Sequence, residues 1–269
     1  MNKSSTYVFA ALTVLSIFLM GVSCESITSP ASGLPSQGWQ DIPEVSDADD
    51  GSLPDSVKAE YMRSAENLAL QLVIESDSNQ IEIPENLVRN LYNGLIHIVN
   101  SGLEEAQDVT TEYQIQARSQ FARGEIIISV DTTEADWLDN WRNGLLETGV
   151  EQIDQLITTY EMDLKSFSEL HSMPWAMAVL KTNQQINPLP FAEQFTDIPS
   201  ISGAELNFMV GDGNTIKVNV ESGAIFYRFE YAWGDCPSGC INRHFWEFSV
   251  DENGDVQFID EGGSALQAN

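Results

Sequence analysis

Cys236, Cys240 and His244 stand in a C-x3-C-x3-H series near the C-terminus. Three chemistries use such residues. Two thiolates and an imidazole are zinc ligands, with His244 bending back from a strand and Asp235 or a distant group as fourth donor. A thiol pair can also shuttle electrons, but thioredoxin-type sites separate their cysteines by two residues, and here three intervene. In an oxidising compartment the same pair, flanking Pro237-Ser238-Gly239, closes a hairpin tip as a disulfide. So small a ring gains well under the about 3 kcal/mol expected for fifteen residues, so its use is to fix local shape. The disulfide is the reading adopted, with no metal and no cofactor. Around it, Trp233, Asp235, Arg243, His244 and Trp246 combine aromatic anchors, a fixed cation and a titratable ring, a candidate binding group. The plainer alternative pairs Arg243 with a carboxylate such as Asp235 and puts Trp246 in a sheet core. The chain holds no G-x-S-x-G elbow, H-E-x-x-H, phosphate loop or G-x-G-x-x-G, so no catalytic residue is assigned and a non-enzyme is expected.

Whether thiols oxidise depends on where the chain folds, and the N-terminus speaks to that. Asn2 and Lys3 make a short polar start, and Tyr7 to Val22 carries no charge. Such a run is a signal-peptide core, too short for a spanning helix. It ends in Met20-Gly21-Val22-Ser23-Cys24, which resembles a bacterial lipobox with Gly21 where leucine is usual. The resemblance implies removal of residues 1–23 and lipidation of Cys24; an ordinary signal peptide cut near the same place is the alternative. One acyl chain binds only marginally, at about 0.8 kcal/mol per methylene, so the several chains of a lipoprotein are what make attachment durable. Glu25, rather than aspartate, favours the outer membrane where a cell has two. The expected location is the bacterial cell envelope, with the folded part outside the cytoplasm.

The chain carries 41 acidic and 12 basic residues. Because Lys3 is the leader's only charge, the mature part keeps all 41 acids against 11 bases, a net charge of −30. That field repels nucleic acid, so no nucleic-acid partner is expected. The expected partners are a membrane, through the anchor, and a protein or peptide. The acids are scattered without a block, which suits solubility in a salty habitat; a cationic partner is the alternative.

Five segments must position these residues. Residues 1–23 are the leader. Residues 24–52, rich in Ser, Pro, Gly and Asp, read as a disordered tether with Trp39 as its one large apolar group. Residues 53–110 read as a helical pair, with Val57, Tyr61, Ala65, Leu68 and Leu72 on one stripe and Leu87, Leu91, Leu95, Ile98 and Val99 on another, and His97 at its edge. Residues 111–211 alternate as weak strand Glu112–Gln116, strong strand Glu125–Val130, a short helix holding Trp137 and Trp141, helix Val150–Tyr160, strands Leu164–Leu170 and Trp175–Thr182, helix Leu189–Phe195 and strand Glu205–Val210. This spells β-α-β-β-α-β, the rhythm of a ferredoxin-like sandwich. Residues 212–269 read as a β-meander: Thr215–Glu221, Ala224–Trp233, Ile241–Val250 and Asp255–Ile259, with Phe226, Tyr227, Phe229, Tyr231, Trp233, Phe245, Trp246 and Phe248 on both phases. Gly211-Asp212-Gly213-Asn214 and Asp251-Glu252-Asn253-Gly254-Asp255 are turns; the second lacks the glycine position and final glutamate of an EF-type loop. The expected fold class is therefore α+β.

The sandwich rhythm is similar to that of the propeptide inhibitor domains of subtilisin-type proteases, which implies a protease-inhibitor-like activity as one alternative. The run Trp233-Gly234-Asp235-Cys236-Pro237-Ser238-Gly239-Cys240-Ile241-Asn242-Arg243-His244-Phe245-Trp246 resembles the signature of uncharacterised bacterial secreted and lipoprotein families. That resemblance implies the envelope address and the disulfide and carries no activity. Three functions stay open: a binding module presenting its aromatic meander, a protease-inhibitor-like domain, and a zinc-dependent hydrolase on Cys236, Cys240 and His244.

Overall fold

The computed structural model describes residues 39–76, 79–169 and 173–266. The expected leader, its cut site and Cys24 lie outside the described residues. No helix among the described residues is long and apolar enough to cross a membrane.

Proline punctuates both long helices. Pro54 and Pro84 sit in extended backbone just ahead of α1 (Asp55–Glu75) and α2 (Glu85–Asn100). Proline costs nothing there, because the first amides of a helix have no intrahelical partner. The apolar stripes then face inward: Tyr61, Ala65, Leu68 and Leu72 on α1 and Leu87, Leu91, Leu95 and Ile98 on α2 are buried. A four-residue helix α3 (Glu104–Gln107) runs into a π-helical turn at Asp108–Glu112. That turn corrects the weak strand expected at Glu112–Gln116. Tyr113 and Ile115 spend their amides on Asp108 and Val109 carbonyls rather than on a neighbouring strand.

Two antiparallel sheets follow. The first contains β1 (Phe121–Asp131), β2 (Asp163–Glu169), β3 (Trp175–Lys181) and β4 (Ile201–Phe208), in the order β2-β3-β1-β4. Between its strands run α4 (Leu138–Arg142), α5 (Glu151–Thr159) and α6 (Pro188–Thr196). The second sheet is the meander β5 (Thr215–Glu221), β6 (Ala224–Trp233), β7 (Asn242–Asp251) and β8 (Val256–Gly263), in sequential order. The fold is thus α+β, with two four-stranded antiparallel sheets.

Each sheet has its own core. Ile126, Ile128, Val130, Ala176, Ala178 and Leu180 of the first pack against Trp141, Ile153, Phe191 and Phe195 from the helices. Trp137 and Trp141 meet edge to face at 4.8 Å, and their indole N–H groups donate to the Ser200 hydroxyl and the Leu146 carbonyl. In the second core, α1 and α2 cover Ile216, Val218, Ile225, Tyr227, Phe229, Trp246, Phe248 and Val250. The helical pair, expected as a unit of its own, therefore shares its core with the C-terminal meander, and the first sheet is inserted between them in sequence. A meander with one apolar face and a lone helix pair each need such a cover. Burying each large side chain here is worth roughly 1.5–3 kcal/mol.

The N-terminal boundary also differs from expectation. The later part of the expected tether is laid along α2 rather than free: Val45 is buried, its amide donates to Asn90 and its carbonyl accepts from Asn93. Ser46 donates its amide to the Glu252 carbonyl in the β7–β8 turn, and His97 Nε2 lies 2.9 Å from the Ser46 carbonyl. Asn100 donates to the Asp49 carbonyl and Tyr92 to the Asp50 carboxylate. Composition suggested disorder because the segment has few apolar residues; its polar backbone is instead met by polar side chains on α2.

Candidate functional site

The Cys236–Cys240 disulfide closes the β6–β7 tip, with its Cα atoms 4.0 Å apart. What holds that tip in place is the Gly211–Asn214 loop. Asp212 donates its amide to the Cys236 carbonyl at 2.8 Å, and its carboxylate accepts from the Cys240 amide at 2.9 Å and from the Gly213 amide at 2.7 Å. The same carboxylate pairs with Arg243. Asn214 accepts from the Ala232 amide at 2.9 Å. Gly211 adopts φ +97°, a left-handed conformation that lets the loop double back onto the tip. Hydrogen bonding by Arg243 is the main cause that holds the Asp212 carboxyl down at about 2, with the Cys240 and Gly213 amides helping against partial burial. For Arg243, burial works against the charge, but Asp212 and Glu230 outweigh it and hold the guanidinium above its usual range.

From Arg243 a ladder of charge crosses the outer face of the meander. Its second arm reaches Glu230 at 3.1 Å, and Glu230 also meets Lys217 at 3.0 Å and Arg228 at 3.4 Å. Arg228 in turn pairs with Glu247 at 3.4 Å and lies 3.4 Å over the Phe245 ring. Three cations surround one nearly buried glutamate, which is the arrangement that lets a carboxylate be buried at all.

Strand alternation separates the residues singled out in the sequence. Arg243 is on the outer face, while His244 and Trp246 are on the inner face; His244 is buried and Trp246 fully so. Trp246 is thus a core residue, touching Tyr113 at 5.3 Å and His244 at 4.5 Å. His244 places Nδ1 2.9 Å from the Ser264 carbonyl and Nε2 3.0 Å from Glu261, so both ring nitrogens are engaged on the β8 side. Trp233 stacks on Tyr231 at 5.3 Å and stays half-buried. Asp235 is exposed and contributes its carbonyl to the Ser238 amide; the partner expected for Arg243 is replaced by Asp212 and Glu230. Backbone geometry explains this, since the tip folds over the loop at Asp212 while Asp235 turns outward. Among the described residues, no group of three His, Cys, Asp or Glu side chains is placed to hold a metal ion. Asp251 closes the β7–β8 turn, accepting from the Asn253 and Asp255 amides at 2.9 and 3.0 Å.

Beside the tip lies a groove of about 530 Å³ between α1, the connection before β1 and the loop after β4. Leu70, Ile74 and Phe121 form its apolar wall, and Arg118, Asp212 and Arg243 its polar rim. Phe208 and Met209 in its lining are 65 and 53% exposed, the adjoining Val210 is 90% exposed, and Ile241, on the disulfide tip, is 75% exposed. The sequence points to neither the groove nor the lip, because its alternating pattern carries the strand through Val210. The strand ends at Phe208, the Met209 amide bonds the Gln120 carbonyl, and the apolar run is left facing solvent. Asp212 was also missed as more than a turn residue; an acid between two glycines, followed by asparagine, was the available signal.

Compared with models of known protein families, with curated proteins and with solved structures, the chain matches none.

Proposed function

We propose that the chain is an exported envelope protein, anchored through lipid on Cys24, that acts as a non-enzymatic binding module. Its binding face is the junction of α1, the loop after β4 and the disulfide tip. The carrying observation is the apolar strip Phe208-Met209-Val210, exposed at the lip of a groove of small-ligand size beside a tip fixed by a disulfide and by Asp212. A side chain such as Val210, at 90% exposure, gains nothing from folding alone and gains when a ligand or partner covers it. The aromatic meander, the face expected from sequence, supplies the scaffold instead, because its Tyr227, Phe229, Trp246 and Phe248 are spent on the core. Support for the address is the uncharged run before Cys24, the lipobox-like sequence and the oxidised pair. The likeness of the Trp233–Trp246 run to secreted and lipoprotein families points the same way.

The test is a photoreactive residue at position 209, with the same group at exposed Leu145 as control, activated in the native host. A discrete adduct from position 209 alone, lost in Val210→Asp, is the expected result. Equal labelling at both positions contradicts the reading.

A second reading is favoured by the first sheet. The order β2-β3-β1-β4, with α5 and α6 as crossovers, supports a ferredoxin-like assignment for residues 121–208 and with it the protease-inhibitor-like alternative. Titration against a subtilisin-type protease distinguishes it, and no inhibition at micromolar concentration removes it. A zinc hydrolase requires Cys236 and Cys240 as free thiolates, so a reductant-dependent mass difference in the native product removes that reading.

A further inference from the structure

Bases are scarce in this chain, at 12 Lys and Arg among 269 residues, yet four of them line one cleft. Arg63 comes from α1, Arg118 from the connection before β1, Arg123 from β1 and Lys181 from the end of β3, around a cavity of about 430 Å³. Among the described residues no acid lines it, in a chain that holds 41. The neutral lining groups include the amide side chains of Asn67, Asn183 and Gln184, while the Ser119 and Thr182 hydroxyls are already donated to the Phe121 and Tyr160 carbonyls.

The fold brings these charges together deliberately. The Ser64 hydroxyl donates to Gln116 at 2.7 Å and accepts from the Ala117 amide at 3.0 Å, while Asn67 donates to the Ala117 carbonyl at 2.9 Å. Those three bonds clamp the connection onto α1 and set Arg118 beside Arg63. Gly124, at φ +68°, bulges β1 so that its carbonyl takes the Thr182 amide at 2.8 Å; a Cβ there would overlap the Thr182 carbonyl oxygen. The bulge sets Arg123 beside the end of β3. Glu66 pairs with Arg123, and Lys181 acts at longer range on Glu125. Among the described residues Arg63, Arg118 and Lys181 make no ion pair within 4.0 Å, while Arg118 donates to the Val210 carbonyl at 3.3 Å.

We propose that this cleft binds the oxyanion of a small phosphate or sulfate monoester. Like charges held together are repulsive when the site is empty, and an anion with several oxygens relieves that repulsion while accepting from the guanidinium forks. Burial, with the field of Arg63 added, already makes Arg123 harder to charge than usual. Elsewhere the acidic surface repels anions, so capture depends on this local reversal of sign. Phe121 and Met209 line both this cleft and the apolar groove, which gives the body of an ester a place beyond its head. The inference rests on the reading of this junction as the binding face and names the chemistry of what enters it.

The experiment is calorimetric titration of the full chain with inorganic phosphate, glycerol 3-phosphate and octyl phosphate. The expected result is saturable binding of one ion per chain, weakened about tenfold by Arg63→Gln and by Lys181→Gln and unchanged by Arg89→Gln, which lies outside the cleft. Octyl phosphate binding tighter than glycerol 3-phosphate assigns a lipid-like source, and equal binding assigns a soluble ester. Absence of heat with all three ligands, or equal weakening by Arg89→Gln, overturns the proposal. Arg63 and Lys181 are exposed, so both variants are expected to fold. A phosphate-induced rise in the melting temperature of the unaltered chain is a second readout, and no rise also overturns it. Flat titrations alongside an intact position-209 adduct sink the anion site alone; the converse sinks the partner reading alone.

Discussion

Asp212 does at the scale of one residue what the two cysteines do covalently. Its carboxylate accepts from the Cys240 and Gly213 amides and pairs with Arg243, so Asp212→Ala leaves those donors short of an acceptor. The expected cost is about 1–3 kcal/mol at pH 7, read by urea unfolding. The pH dependence follows from its depressed value: the folded carboxyl titrates near 2 and the unfolded one at 3.8, so the stabilisation is complete above that range. It is lost as the pH falls from about 4 towards 2. Asp212→Asn should therefore flatten the acid limb of the stability profile relative to the unaltered chain, and identical limbs would contradict the assignment. Trp246 and Trp233 separate in the same way. Trp246→Ala empties a fully buried site and should cost about 3–5 kcal/mol. Trp233→Ala, half-buried on Tyr231, should cost about 1–2 kcal/mol, less than Trp246→Ala because part of its ring already faces solvent. Which tryptophan lies inside was not legible in the sequence, because β6 and β7 carry aromatics on both phases. What was legible was the disulfide, since Pro237-Ser238-Gly239 is turn chemistry between two strand patterns. The Arg243 partner was not, because Asp212 is remote in sequence and Asp235 is near.

At the scale of elements, α2 and the meander approach closely at one glycine. Gly94 has no side chain because the Tyr227 ring occupies that space, its hydroxyl donating to the Leu91 carbonyl at 3.1 Å. Gly94→Ala forces the ring or the helix to move and should cost about 1–3 kcal/mol. The penalty should shrink in a Tyr227→Phe background, where the hydroxyl is gone, and additive costs in that double-mutant cycle would contradict the contact. The Trp39–Asp50 segment is a second such element. Its Val45 amide, bonded to Asn90, should exchange with solvent as slowly as core amides, whereas a free tether would exchange at once. Helices and strands were readable from the 3.6- and 2-residue periods, so most boundaries agree within a few residues. Docking of a polar segment was not readable, since it relies on Asn90, Asn93 and Asn100, which carry no apolar period.

For the whole molecule, sequence order conceals spatial order. The N-terminal helices cover the C-terminal sheet, and β1 to β4 with their helices form a separate core between them in the chain. The proposed binding junction lies where these parts converge, assembled from positions as distant as Arg63, Arg118, Met209 and Arg243. No local motif could announce it. Export, a lipid tether and an oxidised tip, all proposed for this chain, meet in one measurement: the intact mass of the product isolated from its own host, with and without reductant. The expected product is a chain beginning at Cys24, heavier by its acyl groups, that gains two hydrogens when Cys236 and Cys240 are reduced. A soluble product that retains Met1 and shows no change on reduction would contradict it.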